Sequence, residues 1–326
     1  MMKVYYFHRN LVAGYSINKV TQTIVRNIPD KNEFYVPYAG ASLKSILGNL
    51  IFVFKHRNRN AINHITGDIH YCILALIGCK SVLTIHDTVA LDFNELPTLK
   101  KLLIEWLWFR LPLLLATKVV CISEQTKQCV KRLTDRKDIV VIHNAIDPLF
   151  KSSPPHQHRE IPSVLLIGTN PNKNLLRTFE ALQDIKCKVI IIGRLNEEQL
   201  AALTNLHINY ENKQGLSDDQ IIEEYVNSDI VSFVSLFEGF GMIVIEANKI
   251  GRPVVCSDIP VLKEIGGDAA LYVNPYHVEE IRNAFSQLLY DNILYKDYVI
   301  KGEKNVQRFD SSFIFSQWVE LYESIQ

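Results

Sequence analysis

Strand and helix candidates alternate along the whole of this chain. Short runs of β-branched and aromatic residues, which favour strands, are separated by segments of helical composition. The strand candidates of the first half are 3–7, 34–37, 61–65, 81–86, 118–123 and 139–143. Those of the second half are 163–168, 188–193, 208–210, 229–235, 253–257 and 270–273. This alternation predicts an α/β fold built on doubly wound parallel sheets.

The length of the chain and a pause in the alternation indicate two domains. At 326 residues the chain exceeds the size at which a single hydrophobic core stops growing. The segment 150–159 is polar and contains proline, as expected of a linker. We therefore expect two Rossmann-like domains, 1–152 and 153–308, with a ligand cleft between the carboxyl ends of their strands.

Composition excludes several classes of protein. The 35 basic residues balance 35 acidic ones, so the chain lacks the overall charge of a nucleic-acid binder. The six cysteines are scattered without metal-ligand spacing, which predicts reduced, mostly buried thiols. The first residues look like a β-strand and lack the apolar core of a signal peptide, so we expect a cytoplasmic protein.

Two apolar segments allow a second interpretation. Residues 45–54 run into the basic sequence Lys55-His56-Arg57-Asn58-Arg59, and 102–116 is apolar but interrupted. Both are shorter than the roughly 18 apolar residues of a membrane-spanning helix. Helices packed on a sheet are the favoured interpretation. The alternative is peripheral contact with the inner membrane surface, which basic amphipathic helices make.

The stretch 238–253 is the most specific in the chain. Gly239 and Gly241 allow a sharp turn between an apolar strand and a helical segment that starts near Met242. A helix N-terminus suits a phosphate group. Glu238 on the turn and Glu246 in the second helical turn can face one crevice and accept hydrogen bonds from hydroxyl groups. A nucleotide sugar fits this pattern, whereas solvated glutamates beside a generic turn are the alternative.

These residues resemble the retaining GT-B glycosyltransferases of family 4. The family pattern is two glutamates with seven residues between them, a Gly-Phe-Gly after the first, and a downstream Gly-x-Pro-Val-Val. This chain has Glu238, Gly239-Phe240-Gly241, Glu246 and Gly251-Arg252-Pro253-Val254-Val255 in register. The resemblance implies two Rossmann-like domains facing across a cleft, and a last helix, 309–326, that crosses back to the N-terminal domain. It also implies transfer of a sugar from a nucleoside diphosphate sugar to a hydroxyl acceptor in bacterial-type glycan or polysaccharide assembly.

The resemblance also implies roles for residues of the second half. Glu238 would hold a hydroxyl of the donor sugar and Glu246 the ribose hydroxyls. The backbone amides of Gly239, Phe240, Gly241 and Met242 would bind the diphosphate. Lys173 would stabilise the departing diphosphate, because a fixed ammonium offsets the negative charge that develops there.

Several positions depart from the family pattern or allow a second interpretation. Many relatives carry a second basic residue before the lysine. In its absence, phosphate binding here would depend more on Lys173 and backbone amides, or on Arg194. Gly215 and Leu216 would touch the nucleobase, although Ser217 and Gln220 nearby also form a capping-box pattern. His86 would face the transferred sugar, or would be an ordinary hydrogen-bonded loop residue. Gly14 would approach the donor phosphates, with Ala13 in place of the family's second glycine.

The expected reaction needs no cofactor besides its co-substrate. The chain has no Asp-x-Asp in a loop after a strand, and Lys173 would supply the charge that a metal supplies elsewhere. The leaving phosphate itself would take the proton of the acceptor. The expected partners are a nucleotide-sugar donor and a glycan or lipid-linked acceptor. Two alternatives stay open, namely a nucleotide-sugar epimerase of the same fold and a non-catalytic nucleotide-sugar-binding partner.

Overall fold

The computed structural model describes residues 3–13, 16–88, 91, 98–154 and 159–325. Internal contacts divide the chain into an N-terminal unit, Met1–Asp147 with Asp310–Gln326, and a C-terminal unit, Pro148–Phe309. This division lies five residues before the boundary expected after residue 152. The reason is local packing, because the buried Phe150 contacts Tyr225 of the C-terminal unit edge-on, with 5.7 Å between the ring centroids.

The N-terminal unit contains a sheet of six parallel strands. In chain order the strands are β1 (Val4–His8), β2 (Lys31–Tyr35), β3 (Ile62–Ile65), β4 (Ser81–Ile85), β5 (Lys118–Cys121) and β6 (Ile139–Val141). Their order across the sheet is β2-β1-β3-β4-β5-β6. The strand order reverses at β1, which has β2 on one side and β3 on the other, and such a reversal opens a crevice at the carboxyl ends of the strands.

Helices cover both faces of this sheet. The α-helices are Ser16–Val25, Leu43–His56, Thr98–Ile104, Leu111–Leu115, Glu124–Lys131 and Ser311–Glu323, with 3₁₀-helices at Leu11–Ala13 and His70–Leu76 and a π-helix at Glu105–Arg110. Alternate strand residues face opposite sides. Phe7 therefore joins one hydrophobic cluster, whereas Val4 and Tyr6 join another that includes Trp318 and Tyr322 of the last helix.

The C-terminal unit repeats the architecture with a different strand order. Its strands are β7 (Ser163–Ile167), β8 (Lys188–Ile192), β9 (Tyr210–Lys213), β10 (Ile230–Phe233), β11 (Val254–Ser257) and β12 (Leu271–Val273). The order across the parallel sheet is β12-β11-β10-β7-β8-β9. Because the chain starts in the middle, runs outward to β9 and returns to β10, the strand order reverses between β7 and β10, as in Rossmann folds.

Helices and short turns connect these strands. The α-helices are Leu175–Leu182, Glu197–Asn205, Asp218–Asn227, Met242–Ile250, Pro260–Gly266, Val278–Tyr290 and Asn292–Val306, with 3₁₀-helices at Pro171–Lys173 and Gln307–Phe309. The predicted α/β fold with doubly wound parallel sheets is confirmed. Two predicted strands are displaced. The strand predicted at 34–37 is observed at Lys31–Tyr35, because the polar residues Lys31, Asn32 and Glu33 pair with β1 at the edge of the sheet. The strand predicted at 208–210 is observed at Tyr210–Lys213. The left-handed turn at His207, where φ is 51°, directs Ile208 into the hydrophobic cluster before the strand begins.

A buried arginine ties the linker to the C-terminal unit. Arg252 is only 1% exposed, and its guanidinium donates hydrogen bonds to the carbonyls of Ser153 (3.1 Å) and Pro154 (3.1 Å). It also donates to Ser228 O at 2.8 Å and Val226 O at 2.7 Å. Several carbonyl dipoles therefore take the place of water around a buried cation.

Across the ranges that the structure describes, no helix combines the length and the hydropathy needed to cross a bilayer.

Candidate functional site

Two loops follow the neighbouring strands β7 and β10 of the C-terminal unit. The loop after β7 starts at Gly168, whose φ of +88° favours glycine, and continues into the turn Pro171–Lys173. A β-carbon at Gly168 would lie 3.0 Å from Lys173 Cε. The glycine therefore gives the lysine side chain room to lie back over the end of β7.

An ion pair joins the two loops. Lys173 Nζ lies 2.7 Å from Glu238 Oε1, and the two side chains are 18% and 16% exposed. The same ammonium lies 4.7 Å from the centroid of the Phe233 ring, at the end of β10. Asn172 reinforces the junction, since its Nδ2 donates to Glu238 Oε1 at 3.3 Å and its carbonyl accepts from Leu236 N at 2.8 Å. A cation and an anion are thus held together where the strand order reverses.

The turn after Glu238 delivers the start of a helix. Gly241 precedes the helix Met242–Ile250 with a φ of +117°, and a β-carbon there would lie 2.7 Å from Leu262 Cδ2. As the N-cap residue, Gly241 offers no side chain to cap this end. Phe240 is 5% exposed and its ring packs on Phe309, so its backbone rather than its ring belongs to the candidate site. The first turn of the helix presents backbone amides and the positive end of its dipole.

A buried tyrosine holds the second glutamate. Glu246 is half-buried in the second turn of the helix, and Tyr225 Oη donates a hydrogen bond to its Oε2 at 2.7 Å. Burial raises the pKa of Tyr225 well above its ordinary value, and the charge of Glu246 raises it further. The hydroxyl therefore remains a donor at every physiological pH. Our reading of the sequence missed Tyr225, because a tyrosine within a helix usually indicates core packing.

The other predicted donor residues lie after β8 and β9. Gly193 has a φ of +134°, and Arg194 beyond it is exposed, with its carbonyl accepting a hydrogen bond from Thr169 Oγ1 at 2.7 Å. Gly215 has a φ of +66° with open space beside its α-carbon, and Leu216 is half-buried. The capping box of Ser217 and Gln220 is confirmed, since both of its hydrogen bonds form.

His86 lies in the N-terminal unit, directly after β4. It is 8% exposed, and its Nε2 donates to Thr66 O at 2.9 Å. Burial lowers the pKa of His86, while the hydrogen bond to Thr66 partly opposes this, so the imidazole is neutral at pH 7. Gly14, the other predicted site residue in this half, lies outside the described residues.

Near His86 the structure adds Arg9 and Trp108, which the sequence did not indicate. Arg9 Nη1 lies 2.9 Å from Asp68 Oδ2, and Trp108 Nε1 donates to Asp68 O at 2.8 Å. Arg9, Asp68 and Asp87 follow the carboxyl ends of β1, β3 and β4, and their charges influence the pKa of His86. The side chain of Asp68 is 57% exposed, so it can accept hydrogen bonds from hydroxyl groups.

His64, in β3, helps to hold the last helix. Its two ring nitrogens lie 2.7 Å from Tyr322 Oη and 2.7 Å from Thr84 Oγ1. Tyr322 Oη also lies 3.1 Å from Tyr6 Oη. A cavity of about 30 Å³ borders these groups and His86. His64 is thus part of a buried hydrogen-bond network, in which both of its ring nitrogens have partners.

Comparison with known proteins gives matches along both units. The family described as glycosyl transferases group 1 matches residues 163–305, and the family described as Glycosyltransferase Family 4 matches residues 18–149. The serotype-specific mannosyltransferase WbdA of Escherichia coli is 31% identical over 140 residues, 39% of this chain and 17% of that protein. A phosphatidyl-myo-inositol mannosyltransferase of Mycobacterium leprae is 28% identical over 202 residues, 58% of this chain and 54% of that protein. The matches thus span about half or less of the length of these two relatives.

Solved structures extend the likeness to the whole chain. Anabaena Alr3699/HepE in complex with UDP superposes with a TM-score of 0.80 at 16% identity, covering 99% of this chain and 100% of that one. WaaG, a glycosyltransferase involved in lipopolysaccharide biosynthesis, gives a TM-score of 0.73 at 14% identity, covering 98% and 99%. The predicted fold is therefore confirmed. With one family model matching in each unit and this fold throughout, the chain belongs to the GT-B glycosyltransferases of family 4.

Proposed function

We propose that this protein transfers a sugar from a nucleoside diphosphate sugar to a hydroxyl acceptor in bacterial glycan assembly. The observation that carries the proposal is the Lys173–Glu238 pair, 2.7 Å apart, at the point where the strand order of the C-terminal unit reverses. Ligands of Rossmann-like folds bind at such points. The similar proteins point the same way, since they include mannosyltransferases and a structural neighbour in complex with UDP-glucose.

The diphosphate is the part of the donor that the site matches best. Lys173 carries a fixed positive charge, and the helix Met242–Ile250 directs its N-terminal amides to the same loop. When the bond between sugar and diphosphate breaks, negative charge develops on the leaving group. Preorganised positive groups lower the free energy of that transition state. We therefore assign Lys173 and the backbone from Gly239 to Met242 to the leaving diphosphate.

The two glutamates then serve the two ends of the donor. Glu238 already accepts hydrogen bonds from Lys173 and Asn172, which suits a carboxylate that binds a sugar hydroxyl and not a nucleophile. Glu246 would accept from the ribose hydroxyls. Arg194, Gly215 and Leu216 would complete the nucleotide side. In the N-terminal unit, the neutral His86 would contact the transferred sugar.

Retention at the anomeric carbon and independence of metal ions are part of the proposal. With Glu238 engaged in binding, the leaving phosphate would take the acceptor proton on the face from which it departs, which gives retention. Lys173 and the helix N-terminus would supply the charge that a metal supplies in other transferases. An enzyme treated with EDTA should keep its transfer rate, and a product with inverted configuration in NMR spectra would contradict the stereochemical assignment.

The first experiment is a thermal-shift panel of nucleoside diphosphates and their sugars. A ligand that binds the native state preferentially raises the melting temperature by mass action. We expect at least one nucleoside diphosphate and its sugar to stabilise the protein, and the absence of any shift would overturn the proposed function. Sugar conversion without an acceptor would instead indicate an epimerase, and binding without turnover a non-catalytic partner.

We further propose that the N-terminal unit contacts the cytoplasmic face of a membrane, where a lipid-linked acceptor would lie. The helix Leu43–His56 exposes the apolar side chains Leu43, Leu47, Ile51 and Phe54, which are 50% to 73% exposed. Their spacing puts them on one side of the helix. Basic residues flank this stripe at Lys44, Lys55 and Arg57. Apolar side chains bordered by positive charge complement an anionic bilayer surface.

Liposome flotation tests this contact. Vesicles containing anionic lipid should carry the protein, neutral vesicles should carry less, and the double variant Leu47→Glu/Ile51→Glu should remain unbound. Ile293→Glu is the matched control, because Ile293 is 84% exposed but lies in the C-terminal unit. Equal flotation of the double variant and the control would contradict the membrane contact.

A further inference from the structure

Three tyrosines of the C-terminal unit donate hydrogen bonds from half-buried or buried hydroxyl groups, and one differs from the others. Tyr272 Oη donates to the backbone oxygen of Leu262 at 3.2 Å, and Tyr295 Oη donates to that of Asp229 at 3.1 Å. Tyr225 instead donates to a side chain, the Oε2 atom of Glu246, at 2.7 Å. The first two bonds secure the backbone, whereas the third fixes the position of a carboxylate.

Tyr225 is held more rigidly than a surface side chain could be. It is the buried residue of the helix Asp218–Asn227, with 0% exposure. Its ring lies edge-on to the buried Phe150, with centroids 5.7 Å apart and an interplanar angle of 75°. A hydroxyl group on a core ring is costly to bury unless it is bonded, and a phenylalanine could fill the same space. What tyrosine adds over phenylalanine at this position is the hydrogen bond from its hydroxyl group to Glu246.

We propose that Tyr225 is a positioning residue for nucleotide recognition, which orients Glu246 to accept the hydroxyl groups of a ribose. This inference rests on the proposed function. It adds a residue that sets the preference of the site for ribonucleotides over 2′-deoxyribonucleotides. A carboxylate has about four acceptor positions, and the bond from Tyr225 uses one of them. That bond fixes the plane of the carboxylate and so the directions from which ribose hydroxyls can approach.

The fixed orientation of the Glu246 carboxylate matters because affinity falls with each side chain that must be immobilised when the ligand binds. A glutamate in a helix has three rotatable side-chain bonds, and holding them at the moment of binding costs free energy. A buried hydroxyl donor incurs that cost in advance, when the protein folds. Without the donor, the carboxylate would sample other rotamers, and the advantage of a ligand with both ribose hydroxyls would fall. Tyr225 thus acts through Glu246 and need not touch the ligand.

The test compares Tyr225→Phe with the wild-type protein in its preference for ribose. Calorimetry gives the Kd of UDP and GDP and of their 2′-deoxy forms, for whichever base the wild-type protein binds. We expect the wild-type protein to prefer the ribonucleotide by about tenfold, the size of one charge-assisted hydrogen bond. In Tyr225→Phe the ratio of the two Kd values should fall towards one. Tyr295→Phe, which removes a comparable hydroxyl from the same unit, should keep the wild-type ratio.

Each outcome decides between the parts of the proposal. If Tyr225→Phe prefers the ribonucleotide over its 2′-deoxy form as strongly as Tyr295→Phe does, the role of Tyr225 is overturned. A wild-type protein that binds UDP or GDP but ignores the 2′-hydroxyl would also overturn it, while leaving the proposed transfer intact. A wild-type protein that binds no nucleoside diphosphate would overturn both. Should Tyr225→Phe fold poorly, Glu246→Gln provides the second variant, and unchanged ribose preference in that protein would contradict the proposal.

Discussion

Lys173 and Glu238, 65 positions apart in the chain, form an ion pair with 2.7 Å between Nζ and Oε1. The pair links the loops after β7 and β10, and at 18% and 16% exposure neither side chain is fully solvated. Partial burial makes each charge depend on the other, since a half-buried charge that loses its partner is costly. A donor that inserts a phosphate beside Lys173 would therefore bind a cation that is already fixed in place.

Replacing Lys173 tests the assignment of the diphosphate. Lys173→Met should lower the rate of transfer by about 100-fold or more, the usual effect of removing one electrostatic contact to a developing anion. Release of the nucleoside diphosphate gives the measurement. Lys188→Met is the matched control, because Lys188 also forms an ion pair, 2.6 Å from Glu211, but lies at the start of β8 beside Ser163, whereas Lys173 follows the end of β7. Equal rates in the two variants would contradict the role of Lys173.

Glu238→Gln separates the sugar from the nucleotide. A nucleoside diphosphate lacks the transferred sugar whose hydroxyl Glu238 would bind, so its Kd should change by no more than a few-fold. Transfer from the nucleotide sugar should fall by about tenfold or more, because a charged acceptor is lost from the reacting part of the donor. Calorimetry and a transfer assay on the same preparation provide both values. A parallel loss of nucleoside diphosphate affinity would place Glu238 on the phosphate.

Arg252→Leu tests the role of the buried guanidinium in stability. Removing it would leave several buried carbonyl groups without their donor, including those of Ser153 and Ser228. Each unsatisfied group costs about 1–3 kcal/mol, so the free energy of unfolding should drop by about 3 kcal/mol or more. Urea denaturation measures it. Arg194→Met, at an exposed arginine of the same unit, should leave this free energy within about 0.5 kcal/mol of the wild-type value.

Acid should destabilise the protein through its buried histidines. Burial lowers the pKa of His8 to about 4, despite the opposing charge of Glu33, and burial also lowers the pKa of His64 and His70. Unfolded histidine titrates near pH 6.5. Between about pH 6.5 and pH 4 the unfolded chain therefore binds more protons than the folded one. The free energy of unfolding is highest above pH 6.5 and falls on acidification, by up to about 1.4 kcal/mol per pH unit for each histidine.

Urea denaturation at pH 7.5 and pH 5.5 measures this dependence. His8→Gln should reduce the loss of stability between the two pH values, because one buried titrating group is removed. His277→Gln should leave the loss unchanged, since the side chain of His277 is 66% exposed. A loss of stability that is the same in all three proteins would mean that His8 does not contribute.

The alternation of strand-forming and helix-forming segments predicted the fold, because each strand or helix depends mainly on residues that are close together in the sequence. The displaced strand β9 shows the limit, since a left-handed residue at His207 changed where the strand begins. The site was predicted in part only, through the glutamates, Lys173 and the glycines of a known pattern. Tyr225 was missed because its partner Glu246 is 21 positions away, and only the folded chain brings them together.

The N-terminal unit shows the same limit. The approach of Arg9 and Trp108 to Asp68 depends on the pairing of β1 with β3 and on a π-helical segment, Glu105–Arg110. No short window of sequence contains either relationship. His64 also depends on distant residues, because its two ring nitrogens are bonded to Tyr322 and Thr84.

The helix Ser311–Glu323 has a consequence for synthesis on the ribosome. Ile314, Trp318 and Tyr322 of this helix complete a hydrophobic cluster of the N-terminal unit, although nearly all of that unit is translated first. Domains usually fold in the order in which they emerge. Here the contiguous C-terminal unit can complete its core while the N-terminal unit still lacks the helix that covers one of its hydrophobic clusters. Until residues 311–323 leave the exit tunnel, the apolar side chains of this cluster in the nascent N-terminal unit cannot be covered by Ile314, Trp318 and Tyr322.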